Sequence, residues 1–121
     1  MQITSIRFDF NFESRPGAGE LLAFASLEFD GELVIRRLRI VGYPDGRVHI
    51  FMPSRLVSDK FEDIVYPSSR DLKGRLYTEL LRHLSREFRG RGEDDRNAMV
   101  ESALARALNS EPEIPQETAK R

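Results

Sequence analysis

The sequence predicts an α+β fold: an antiparallel β-sheet of about five strands, a packed α-helix and a C-terminal helical extension. Three observations predict it. Apolar and polar residues alternate with period two through most of the first 66 residues, between turns rich in glycine and proline. From Leu72 the apolar spacing changes to four. Beyond Gly92 a thinner stripe of small apolar residues follows. With 121 residues and 40% hydrophobic content the chain is long enough for one core without cross-links.

In chain order, Ile6, Phe8, Phe10 and Phe12 alternate with Arg7, Asp9, Asn11 and Glu13, the pattern of a strand with one buried face. Residues 14–19 are turn-rich and predict a loop. Their Gly-Ala-Gly lacks the lysine and helix of a phosphate cradle. Leu21, Ala23, Ala25, Leu27 and Phe29 form a second alternating run, and Asp30-Gly31 suits a type I′ hairpin turn. In the third strand, apolar residues sit on one parity at Leu33 and Ile35 and on the other at Leu38 and Ile40, so a bulge is expected near Arg36-Arg37. The turn at 42–46 leads to a fourth strand through Val48, Ile50 and Met52. Residues 53–60 then read as a loop and 61–66 as a short fifth strand, which Pro67 ends.

Ser68 with Asp71 three residues on approximates a capping box, so the long helix is expected at about 71–89. Leu72, Leu76, Leu80, Leu84 and Phe88, widened by Tyr77 and Leu81, make its apolar face. Arg89 and Gly90 supply a cation and a left-handed residue to end it. Glu93, Asp94 and Asp95 suit the start of a second helix carrying Val100, Ala103, Leu104, Ala107 and Leu108. The expected organisation is a domain over 1–90, a helical extension over 91–109 and a disordered tail over 110–121.

Charge is unevenly distributed. Residues 69–92 hold seven cations against three anions, a surplus of +4. Residues 1–68 hold eight against ten and residues 93–121 four against seven, which together give the whole-chain −1. A basic helix on a near-neutral chain is compatible with phosphate binding. Arg36, Arg37 and Arg39 form a second basic cluster, expected as exposed strand positions pairing with Glu28 or Glu32.

The chemistry of an enzyme is missing from the pattern. The chain has no cysteine, which removes disulfides, thiolate nucleophiles and cysteine-based zinc sites. His49 and His83 have no second histidine at ligand spacing, and no serine has a base at a recognisable spacing. Asp59, Glu62 and Asp63 cluster without forming an acid–base pair, since Glu62 and Asp63 point to opposite faces of a strand. No enzymatic activity, cofactor, metal or small-molecule substrate is therefore expected. The first residues lack a charged flank followed by an apolar run, and no apolar stretch approaches about 18 residues, so a cytoplasmic protein without a membrane partner is expected.

Six segments carry a family resemblance: Ile3-Thr4-Ser5-Ile6-Arg7, Leu21-Leu22-Ala23 leading to Phe29-Asp30, Leu38-Arg39-Ile40, Met52-Pro53-Ser54-Arg55, Asp63-Ile64-Val65-Tyr66-Pro67 and Lys73-Gly74-Arg75. In order and spacing they resemble the SpoVG family (stage V sporulation protein G, the septation regulators of bacteria), over roughly residues 2–88. The resemblance implies a small cytoplasmic bacterial protein that dimerises, is linked to septation and gene expression, and has relatives that bind DNA or RNA. Arg55 matches the family's first basic residue after Met-Pro-Ser, and Lys73 and Arg75 match the basic pair flanking glycine. With Arg70 from the basic segment, these are the expected nucleic-acid-binding residues. Leu56 stands where the family often has a second basic residue, and Tyr66 where it often has histidine.

The expected function is thus a dimeric nucleic-acid-binding regulator of septation and gene expression, partnered by DNA or RNA and by a second copy of itself. The alternative is a protein-interaction module of cell-division control that does not bind nucleic acid. A homodimer is expected independently, because the edge strands lack interior proline and Phe24 falls on the uncovered parity of its strand.

Overall fold

A computed structural model of the chain describes residues 1–13 and 19–109, so residues 14–18 of the expected 14–19 loop and the expected tail at 110–121 lie outside the described residues. The elements are β1 (Ile3–Asp9), β2 (Glu20–Phe29), β3 (Leu33–Gly42), β4 (Val48–Phe51), β5 (Ser54–Val57), β6 (Lys60–Asp63), α1 (Arg70–Gly90) and α2 (Asp94–Asn109). The first four strands form an antiparallel sheet in the order β1-β2-β3-β4, and β5 and β6 form a separate two-stranded sheet. This is the α+β arrangement expected. No described helix is long and apolar enough to cross a membrane.

Period two divides the sheet into two unlike faces. Ile6 and Phe8 on β1 lie opposite Leu27 and Ala25 on β2, which in turn oppose Ile35 and Leu38 on β3, and Ile40 opposes Ile50 on β4. These residues share the inner face. Both helices pack there, with Leu80, Leu81, Leu84, Phe88 and Val100 joining Leu22, Leu27, Leu38 and Ile40 in one fully buried cluster. Fully burying each such side chain is worth about 1.5–3 kcal/mol as an upper estimate, so docking on the sheet, more than helix propensity, holds α1 together.

The β2–β3 connection has positive φ at Asp30 (54°) and Gly31 (69°), as a type I′ turn requires, and Glu32 N–H donates to Phe29 O at 2.9 Å. The expected bulge is present. Arg37 has φ 71°, and the register shifts so that Ser26 faces both Arg36 and Arg37. The extra residue lets Ile35 and Leu38, three apart in sequence, both point inward.

Four local expectations are corrected. Residues 54–57, expected as loop, form β5. Ser58 and Asp59 both adopt positive φ, 48° and 66°, and close a two-residue hairpin that carries no glycine signal. Accordingly, β6 pairs with β5 and ends at Asp63, and residues 64–67 are not strand. The N-cap of α1 is Ser69, one residue later than expected: its backbone is extended (φ −103°, ψ 143°) and its Oγ accepts from Leu72 N–H at 3.0 Å. At the other end Gly90 remains helical, and Gly92, at φ 71°, takes the left-handed position. Glu93 N–H donates to Phe88 O and Gly92 N–H to Arg89 O, the paired bonds of a Schellman motif.

The second helix is stitched into the fold. Ser85 Oγ donates to Asn97 Oδ1 at 2.6 Å, joining α1 to α2 through two buried polar side chains, and Glu101 Oε1 lies 3.3 Å from both. Arg96 forms an ion pair with Glu20 at 2.7 Å, and Arg106 donates to Gly46 O at 2.7 Å. Gly42 permits the close approach of α2 to the sheet, since a Cβ there would run into Met99 Sδ.

Two outcomes follow from these contacts. Asn97→Ala should destabilise the fold by about 0.5–1.5 kcal/mol in urea unfolding, because it removes the shorter bond of the buried Ser85 hydroxyl and leaves it only the longer one to Glu101. Tyr77 donates to Val48 O at 3.0 Å, and burial raises its pKa against a smaller opposing effect of Arg106. The neutral phenol is the form the fold favours. Its contribution to stability is therefore complete below the ordinary tyrosine pKa of about 10 and is lost as pH rises from there through the raised value. Tyr77→Phe should cost about 1 kcal/mol at neutral pH and show a shallower loss of melting temperature in alkali.

Candidate nucleic-acid interface

The surplus charge of α1 can be assigned residue by residue. Each of its anions meets an arginine of the same segment: Asp71 with Arg75 at 3.1 Å, Glu79 with Arg82 at 2.6 Å and Glu87 with Arg91 at 3.5 Å. Among the described residues, no ion pair engages Arg70, Lys73, Arg86 or Arg89, and these four are the +4 of the segment. Solvent screening makes the exposed pairs weak, but they still fix where the uncompensated charge lies.

The four expected binding residues do not lie on one helix face. Arg70 and Lys73, three apart, share one side of the first turn of α1. Arg75, two residues beyond Lys73, projects to the other side, where it donates to Asp71 Oδ2 and to Met1 O at 3.1 Å. Its guanidinium ties the helix to the start of the chain, and its side chain is 41% exposed. Arg55 is exposed on β5, opposite Glu62 in register. The backbone groups at the start of α1 are engaged locally, with Ser69 O accepting from Lys73 N–H at 3.1 Å.

A second basic surface was misjudged at the sequence level. The expected partner Glu28 has its carboxylate bonded to Thr4 Oγ1 at 3.1 Å. Arg37 instead lies over the ring of Phe24, 4.7 Å from its centroid, and Arg39 lies 5.0 Å over Phe51. The relevant signal was cross-strand register, which sets Phe24 beside Arg39 and Arg39 beside Phe51.

Other polar groups serve local structure. Asp45 is held below the usual carboxylate range by the Arg47 backbone N–H first and the Arg47 side chain second, with bonds of 3.0 and 2.7 Å. The hydrogen bond that Arg96 donates to the Glu20 carboxylate pushes the Arg96 pKa further up. His83 Nδ1 lies 2.8 Å from Glu79 O, and the His49 ring packs 4.3 Å from that of Phe51. Among the described residues, no three metal-ligating side chains come together.

The SpoVG family model matches residues 1–86. Relatives bearing the name "Putative septation protein SpoVG" align along most of their own length. That of Borreliella afzelii is 35% identical over 88 residues, covering 72% of this chain and 89% of the relative. That of Finegoldia magna is 30% identical over 111 residues, covering 90% and 97%, and that of Archaeoglobus fulgidus is 33% identical over 82 residues, covering 67% and 91%. The family-model match over residues 1–86, with relatives 30–35% identical along nearly their whole length, makes the chain a member of the SpoVG family.

Proposed function

We propose that this chain acts in septation and the control of gene expression as a dimeric protein that binds DNA or RNA. The name its relatives carry supports the septation role. The observation that carries nucleic-acid binding is the pairing pattern of α1, which neutralises each anion of the segment and leaves Arg70, Lys73, Arg86 and Arg89 as net positive charge. Arg55, Arg70 and Lys73 are the phosphate contacts, while Arg75, turned to the other side of the helix by Asp71 and Met1, lies apart from them.

The β5–β6 hairpin supports dimerisation. Leu56 and Phe61 face the same way across it and are 60% and 45% exposed, and Ile64 and Tyr66 just beyond are 61% and 65% exposed. An isolated two-stranded hairpin is marginal in water, so covering these side chains with a second copy stabilises the hairpin and the pair together. The same apolar arm favours a second reading, a protein-interaction module of division control that does not bind nucleic acid.

Two measurements test these readings. Phe61→Ser should convert a dimer to a monomer in light scattering at micromolar concentration; a wild-type monomer overturns the dimer. With about three phosphates per protomer, log K for duplex DNA should fall against log salt with a slope of about −5. Arg70→Gln/Lys73→Gln should flatten that slope by about 3.5 in the dimer. Absence of binding to duplex DNA and to RNA at low salt decides for the interaction module.

A further inference from the structure

The second helix runs back along the first and delivers the chain to the basic start of α1. At one end of the pair Ser85 Oγ meets Asn97 Oδ1. At the other, Tyr77 donates to Val48 O and Arg106 to Gly46 O, backbone groups two residues apart, so Arg106 lies near enough to Tyr77 for its charge to act on the phenol. The nine residues from Asn97 to Arg106 thus run antiparallel to the eight from Ser85 back to Tyr77. Arg70 and Lys73 extend the same side of α1, since positions 70, 73, 77, 81 and 85 are spaced by three and four and form one stripe. At about 1.5 Å per residue, Lys73 lies about 6 Å beyond Tyr77 along the helix and Arg70 about 10 Å beyond it. The second helix ends at Asn109, about 4–5 Å past Arg106, so the chain leaves α2 close to the level of Lys73.

The sequence that follows is acidic. Glu111, Glu113 and Glu117 come before the next cations, Lys120 and Arg121. We propose that residues 110–117 form an intramolecular acidic cover over Arg70 and Lys73 that nucleic acid must displace, a device resting on the nucleic-acid reading above. Reach and charge both support this occupant. An extended segment covers about 3.3 Å per residue, so Glu111 and Glu113, two and four residues after Asn109, reach about 7 and 13 Å from the end of α2. Those distances take in both Lys73 and Arg70. Among the described residues, no ion pair engages either cation, and the neighbouring anion Asp71 is held by Arg75 on the other side of the helix. Carboxylates are also favoured at the positive end of a helix, and α1 begins at Arg70. Arg86 and Arg89 stand toward the opposite end of α1, about 20–24 Å along the axis from Lys73, so the cover acts on the first-turn contacts. Exposed ion pairs are individually weak, which suits a cover that a polyanion displaces.

The full chain allows two measurements. Zero-length carbodiimide coupling joins a lysine amine to a carboxylate in direct contact, and the lysines of the chain are Lys60, Lys73 and Lys120. In a mixture of isotopically light and heavy copies at low salt, peptide mass spectrometry should find Lys73 joined to Glu111, Glu113 or Glu117 of the same chain. That product should exceed coupling of the same glutamates to the exposed Lys60 by roughly fivefold and fade toward about 1 M salt. In fluorescence anisotropy with a labelled duplex, Glu111→Gln/Glu113→Gln/Glu117→Gln should tighten binding roughly three- to tenfold at low salt, an advantage that shrinks as salt rises. In the Arg70→Gln/Lys73→Gln background the same three substitutions should change affinity by less than about twofold, since general repulsion from DNA would survive there and a cover would not. If that background binds too weakly to measure, the cross-link decides. Coupling at Lys73 no stronger than at Lys60, coupling only between chains, an absent gain or an equal gain in both backgrounds overturns the cover, and the nucleic-acid reading stands if wild type binds the duplex. A specific Lys73 cross-link in a wild type that binds neither duplex DNA nor RNA keeps the contact and overturns the nucleic-acid reading.

Discussion

The apolar stripe of α1 is covered by the inner face of the four-stranded sheet, and most of the fold depends on that match. Leu80, Leu81, Leu84 and Phe88 are completely buried there, together with Leu22, Leu27, Leu38 and Ile40. The small side chains of Ala23 and Ala25 leave room in the middle of β2 for the larger helical residues. Once α1 is docked on the sheet and against α2, its remaining face is left to solvent. Its arginines are displayed there, and its anions pair with the nearest of them. The second helix closes the open flank of this core with Val100 and Ala103, which links the segment after Gly92 to the same cooperative unit.

One backbone irregularity shapes both sides of the sheet. Without the bulge at Arg37, the parity of β3 would turn either Ile35 or Leu38 outward and flip the arginines with it. With the bulge, both aliphatic residues join the core face, and Arg37 and Arg39 are set over Phe24 and Phe51. A residue held at positive φ thus reconciles an apolar inner surface with a cationic, aromatic outer one. The β5–β6 hairpin presents the contrasting case. Its turn and ladder are well formed locally, yet its apolar side chains remain exposed within a single chain, and this is why it supports an intermolecular role.

Much of this architecture was legible in the sequence. Period-two alternation marked β1, β2 and β4, the mixed parity of β3 revealed its bulge, and Asp30-Gly31 gave its turn. The four-residue spacing from Leu72 to Phe88 gave α1 and its buried face. These are strong signals because each repeats over many residues. The β5–β6 turn was not legible, because Ser58-Asp59 reaches the left-handed region without glycine. The choice between Ser68 and Ser69 as cap, and between Gly90 and Gly92 as stop, was equally hidden. Neighbouring residues of one type differ there only in which backbone bonds they reach.

By itself the sequence determined the fold class, the family resemblance, the basic bias of residues 69–92 and the candidates Arg55, Arg70, Lys73 and Arg75. The fold class and the charge bias follow from composition and short-range periodicity, and the resemblance with the candidates Arg55, Lys73 and Arg75 from matched segments, all of which any conformation of the chain retains. Only the tertiary structure decided that Arg75 is turned toward Met1 and away from Lys73, and that Phe24, Arg39 and Phe51 form one row. Those outcomes depend on strand register and helix docking. Both are set by contacts between residues far apart in sequence, so no local pattern encodes them.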